Sequence, residues 1–241
     1  MTIVPRQISP LERHLILFVD RLIVFITQHW LLLVTLALFI FDGLPFLAPI
    51  LLHLGVTGPA EAIYRAYSLT CHQLAYRSYF FFGAQPVYTT AQLQSALGVT
   101  NPASDAFYWR DFLGNPQLGF KMAWCERDAA IYTTLLLGSI LFAAVRTRLK
   151  PLNWRIYLLF ITPMAIDGFW QLFTSPIVIF PFLPIHESDY LLRGITGALF
   201  GLGSVWLAYP YLEASMRDAR AQAESQYQRG RAHQAALNQG K

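Results

Sequence analysis

Four stretches of about twenty apolar residues, each long enough to cross a bilayer as an α-helix, alternate with polar connections along the chain. The first covers residues 22–41 and runs on through Pro45 to Leu52. Ahead of it, residues 11–20 set Glu12, Arg13, His14 and Asp20 among Leu and Phe, which predicts an amphipathic interfacial helix leading into the first span. The second span is 129–145. The third is 156–173, extending toward Pro184 with kinks at Pro163 and Pro176. The fourth is 190–212. The stretch 60–82 is also greasy, with Tyr64, Tyr67, Tyr76, Tyr79 and three successive phenylalanines, but Glu61, Arg65, His72 and Arg77 make a full crossing costly. A re-entrant or interfacial helix is expected there. The fold class is therefore all-α: a polytopic membrane protein of four transmembrane helices with two helices at the interface.

Basic residues orient these elements. Arg6, Arg13 and Arg21 precede or begin the first span. The connection from Arg146 to Arg155 holds four basic residues and no acid, and the tail carries Arg217, Arg220, Arg229, Arg231 and Lys241. With four spans all three segments share a side, which the positive-inside rule makes cytoplasmic. The chain is thus expected in the cell membrane, multi-pass, with both termini cytoplasmic. It divides into a lead-in (1–21), a membrane domain (22–212) with an outer loop (53–127), and a polar tail (213–241) that continues the last helix before fraying. Within the loop, residues 90–97 predict a short polar helix, and Asn101-Pro102 and Asn115-Pro116 predict turns.

Composition agrees. Hydrophobic residues make up 55% of the 241 and charged residues 13%, against roughly 25% charged in soluble domains. That excludes a soluble enzyme. The net charge of +4 is read as membrane orientation, so no nucleic acid is expected as partner. Residues 1–11 lack the basic start, apolar core and small-residue cleavage site of a signal peptide. Nothing matches a phosphate loop, a serine elbow or a dinucleotide fingerprint.

The candidate chemistry sits beside the spans, on the outer side. Cys71, His72, Cys125 and Asp128 offer sulfur, imidazole and carboxylate ligands suited to zinc. Outside the cytoplasm the two cysteines can equally form a disulfide, or pack as small apolar thiols. Asp167 and Gln171, four apart on the third span, share a face; an acid at that depth must pair, face water or stay protonated, and can relay a proton. Arg193, opening the fourth span, is the expected partner of Asp167, with Ser188 or Asp189 as N-cap. Arg77, Arg127 and Arg193, with Gln73, can hold an anionic headgroup or phosphate, or pair with Glu61, Glu126, Asp128 and Asp167. Gly194, Gly197, Gly201 and Gly203 make a small-residue stripe for helix packing.

Several elements taken together resemble a family of small polytopic membrane proteins of bacteria and archaea, domain of unknown function 2085. They are Pro45-Phe46-Leu47-Ala48-Pro49, Ile63-Tyr64, Cys71-His72-Gln73, Arg77-Ser78, Asp167-Gly168-x-x-Gln171, and the run from Ser188 through Arg193 to Thr196-Gly197. The resemblance covers about residues 40–205. The family pattern after the outer loop is Cys-x-Arg-Cys; here Cys125 and Arg127 match and Asp128 stands at the second cysteine. Asp can replace Cys as a zinc ligand but not in a disulfide. The resemblance implies fold and site location and carries no activity.

Three readings follow. The first is a polar, zinc-assisted site at the outer end of the bundle that acts on or binds a lipid-like or anionic substrate: the Cys/His/Cys/Asp set holds the metal, Asp167 and Gln171 do the proton chemistry, and Gln73 with the arginines holds negative charge. The second is a non-catalytic accessory or scaffold subunit of a larger membrane assembly. The third, a small transporter, would need a homo-oligomer, since four spans are few and no broken-helix repeat is visible.

Overall fold

The computed structural model describes residues 9–98, 106–174 and 187–239. Expectations about the leader and Arg6, the Asn101-Pro102 turn, Pro176, Pro184, His186 and Lys241 lie outside these residues. Four helices carry the length and hydropathy to cross a bilayer: α1 (Pro10–His53), α5 (Glu126–Val145), α6 (Trp154–Thr174) and α7 (Tyr190–Gln239). Between α1 and α5 lies a cap. It contains α2 (Thr57–Tyr67), a 3-10 turn at Ala75–Arg77, α3 (Thr90–Leu97), α4 (Ala106–Asp111) and three short strands, β1 (Phe80–Phe81), β2 (Gly114–Asn115) and β3 (Gly119–Lys121). The strands pair antiparallel in the order β1-β3-β2, with Phe80 opposite Lys121 and Gly114 opposite Phe120.

The lead-in 11–20 is helical as expected, but it is not a separate element. No Gly or Pro interrupts residues 11–41, so lead-in and span form one 44-residue helix. Its start is fixed by a capping box: Ser9 Oγ accepts from the Glu12 N–H (3.2 Å) and the Glu12 carboxylate accepts from the Ser9 N–H (2.8 Å). The stretch 60–82 likewise differs from one re-entrant helix. It holds α2, which is too short to cross a bilayer, then a loop in which Gln73 takes a φ of +53°, then the 3-10 turn and β1. Glu61 and Arg65 pair on the exposed face of α2 (3.6 Å) while Tyr64 and Tyr67 are buried on the other.

Prolines inside the spans dock the rest of the chain. A proline has no N–H for the carbonyl four residues earlier. Pro45 thus frees the Phe41 carbonyl, which accepts from the Tyr67 hydroxyl (2.7 Å). Pro49 frees the Pro45 carbonyl, which accepts from the Ala123 N–H (3.3 Å). Pro210 frees the Trp206 carbonyl, which accepts from the Leu152 N–H (3.3 Å) in the α5–α6 connection. Around the first two, Phe41, Tyr67, Trp124 and Tyr132 form one aromatic cluster with ring centroids 4.8–5.4 Å apart. Tyr67→Phe is expected to lower thermal stability in detergent by about 1–3 kcal/mol, since it strands a buried carbonyl; an unshifted unfolding midpoint would refute the docking role.

Helices α5 and α7 approach closely through the small-residue stripe. A methyl on Gly197 would stand 2.7 Å from the Arg127 carbonyl, and one on Gly201 would stand 2.7 Å from the Ile131 carbonyl and strike Thr134 Oγ1. Gly203 gives the same closeness to Phe160 of α6. At the end away from the cap, the Glu213 carboxylate is buried and accepts from Trp30 Nε1 (3.0 Å) and Arg146 (2.9 Å). This junction lies at the start of the basic connection from Arg146 to Arg155. Beyond it α1 and α7 continue as an antiparallel two-helix stalk, in which a methyl on Gly230 would stand 2.9 Å from Leu17.

Candidate metal centre and the surrounding ion pairs

The loop after α2 delivers Cys71. Its position is set by Gln73, which is 2% exposed and whose amide donates to the carbonyls of Tyr64 (2.9 Å) and Ala123 (3.1 Å). That clamp ties the end of α2 to the segment entering α5. Cys125 is the N-cap of α5, its sulfur accepting from the Asp128 N–H (3.4 Å), and the Cys125 N–H donates to Cys71 Sγ (3.3 Å). One ligand atom from each of Cys71, Cys125 and Asp128 lies within 4.8 Å of the others. Both cysteines are free thiols, so the disulfide reading is not realised. His72 is exposed and stands outside the trio. Gln73 spends both amide hydrogens on the backbone.

The environment disfavours a bare thiolate. The neighbouring Cys125 sulfur, then burial, push the Cys71 thiol well above its usual range, and Asp128 adds to this. Nearby Lys121 is fully buried, and its ammonium donates to the carbonyls of Gln73 (2.6 Å), Arg110 (2.5 Å) and Trp109 (3.2 Å). Burial lowers its pKa to about 7, against the opposing pull of Asp111 and Cys71. Its own carbonyl accepts from the Tyr64 hydroxyl. Gln73 also lines an open cavity of about 420 Å³ in the cap, with Glu61, Arg65, Arg110 and Asp111 giving it mixed charge.

Each of the three expected anion-holding arginines has a carboxylate partner. Arg77 grips Glu187 with two bonds of 2.6 Å. Arg193, 3% exposed, lies between Glu187 and the buried Glu126 (3.1 Å). Arg127 pairs with Asp167. The expected Asp167–Arg193 pair is therefore corrected: Arg193 on the first turn of α7 meets the start of α5, and Arg127 from α5 is the group that reaches α6. Asp167 and Gln171 do share a face, with the Gln171 amide donating to Asp167 (3.2 Å), and the Ser188 hydroxyl also donates to Asp167. Asp189, not Ser188, caps α7 by accepting from the Leu192 N–H (2.6 Å).

Two groups escaped the sequence reading. Lys121 sits inside the run Gly119-Phe120-Lys121-Met122-Ala123-Trp124, where a lone cation among apolar neighbours signals burial. Asp42, buried in α1, accepts from Thr133 Oγ1 of α5 (3.0 Å); an acid at the centre of an apolar run was the signal.

The family model described as Predicted membrane protein (DUF2085) matches residues 117–207. That stretch contains Lys121, Cys125, Asp128, Asp167 and Arg193, but not Cys71. An uncharacterised protein of Methanocaldococcus jannaschii is 29% identical over 191 residues, which are 76% of this chain and 92% of that protein. No solved structure matches the chain. The resemblance drawn from the motifs is borne out, and the chain is a multi-pass membrane protein.

Proposed function

We propose that this protein is a multi-pass protein of the cell membrane whose extracytoplasmic cap holds a zinc ion between Cys71, Cys125 and Asp128. The observation that carries the reading is the convergence of those three ligand atoms within 4.8 Å, drawn from two segments far apart in sequence. Two sulfurs and a carboxylate are the donor set of a borderline-soft divalent cation. Three protein ligands leave a fourth position for water or for an oxygen of a lipid-like or anionic substrate, the arrangement of a catalytic rather than a closed structural zinc site. The sidedness is supported by the basic residues that flank the stalk end, which the positive-inside rule assigns to the cytoplasmic face.

Elemental analysis of the purified protein, alongside free-thiol counting, tests this. The expected result is equimolar zinc and protected cysteines, with zinc lost in Cys71→Ser and in Cys125→Ser and held more weakly in Asp128→Asn. Metal-free protein with two reactive thiols and an intact fold would sink it.

A second reading, a scaffold or accessory subunit of a larger membrane complex, is favoured by the engagement of Asp167 and of Arg77, Arg127 and Arg193 in ion pairs. It predicts co-purification with a stoichiometric partner and partner binding that survives Asp167→Asn.

A further inference from the structure

Helix α1 beyond the stalk-side membrane edge is apolar on opposite faces, while the α7 tail beside it is apolar on one. Toward α7, the stalk buries Asp20 and Thr27 of α1 and half-buries Leu17 and Val24, with Leu17 against Gly230. The opposite face carries Leu11, Leu15, Phe18, Leu22 and Phe25, at spacings of four, three, four and three residues. Leu11 is 80% exposed, Leu15 61% and Phe18 64%, and among the described residues no element covers them. Apolar surface on two opposite faces belongs against a core, a membrane or a partner. With the basic connection at Arg146, joined to Trp30 through Glu213, taken as the bilayer edge, and with the polar α7 tail alongside, this segment has neither core nor lipid on that face, and Leu11 lies roughly 28 Å further along the helix axis. The α7 tail needs no second cover, because its outward residues, such as Arg217, Asp218, Gln222 and Arg229, are polar.

We propose that this face is the interface of a homodimer, formed by α1 of two copies packing side by side. The homodimer forms whether or not the cap holds a metal. A 3.5-residue apolar repeat is the seam of a two-stranded coiled coil, and here it is interrupted once by His29 and resumes at Leu32, Leu36 and Phe39, all exposed. Lipid can cover those three, but not the stalk. Two copies inserted the same way share a two-fold axis along the membrane normal, so their α1 helices run parallel and in register, each seam residue meeting its own copy. The seam and its flank from Leu11 to Ile26 expose nine large apolar side chains per chain, surface on the scale of the roughly 800 Å² per partner that a standard interface buries.

Cysteine substitution in the full-length protein, oxidised in native membranes, tests the pairing. Covalent dimers are expected from Leu15→Cys, Phe18→Cys and Leu22→Cys and not from Leu17→Cys, which faces α7, nor from the unsubstituted chain. Light scattering of the purified unsubstituted protein should give the dimer mass, falling to the monomer in Leu15→Glu/Leu22→Glu while helicity persists. Equal cross-linking at every position, or none, overturns the proposal. So does a monomer whose position 22 is shielded by lipid, which would lay this face on the membrane surface instead.

Discussion

Arg193→Met should loosen the capped end of the bundle and cost about 3–5 kcal/mol, the penalty for stranding a buried charge by removing its partner. Arg193 is the hinge between two carboxylates. Glu126, at the start of α5, is 2% exposed and meets it at 3.1 Å, while Glu187 reaches it from the segment before α7 and is itself gripped by Arg77. Methionine keeps the length of the side chain and removes its charge, so Glu126 remains buried without its cation. Unfolding in detergent micelles should show the lowered midpoint, and Cys71 should become faster to alkylate as the cap detaches from α5. Adding Glu126→Gln to Arg193→Met should recover much of the loss, because the buried pair is then replaced by neutral groups. Equal instability of the single and double variants would mean that packing, and not charge, is what Arg193 supplies.

Lys121→Met should be nearly as severe, about 3 kcal/mol, for a different reason. Its ammonium is the common donor to the carbonyl of Gln73, in the loop after α2, and to those of Trp109 and Arg110 at the end of α4. Methionine fills the space but leaves three buried acceptors without a donor. Limited proteolysis across residues 106–121 should detect the opened cap. The pH dependence gives a second readout. The folded pKa is about 7 and the unfolded value about 10.4, so between these the unfolded chain holds the extra proton. Stability therefore rises with pH from about 7 toward about 10, and falls back as pH drops to 7. Lys121→Met should flatten that slope; an unchanged slope would assign it to other groups.

What the sequence made legible follows from what each signal measures. Span number and position depend on apolar run length, a local property: α5 and α6 start and end within a few residues of their runs, whereas α1 begins well before its run and α7 continues well past its own. Helix α3 was readable because Thr89 and Gln92 form a capping box ahead of it and Gly98 closes it in the left-handed region. The strands were not readable, because two or three residues carry no alternation pattern; β1 and β3 exist through pairing across about forty residues. Cys71, Cys125 and Asp128 were legible as chemistry, and the motif resemblance put them in one place. His72 was not separable from them by residue type, since its orientation depends on the positive φ of Gln73 next to it. The arginines show the same limit. Glu126 and Asp167 were among the named acids but Glu187, which takes Arg77 and shares Arg193, was not; which pairs with which depends on helix rotation, and there Arg127 took the place expected of Arg193 beside Asp167.

The freed carbonyls also impose a timetable on biogenesis. When α1 first emerges from the ribosome and enters the lipid, the oxygens of Phe41 and Pro45 are bare, since Tyr67 and Ala123 have not yet been synthesised. A lone peptide oxygen facing hydrocarbon costs several kcal/mol, so the nascent first helix has reason to linger at the lateral gate or beside a chaperone until the cap is translated. The last helix faces no such wait: Leu152 is already in place when Trp206 arrives. Truncations ending shortly before Ala123 should therefore be degraded faster than truncations ending after α5.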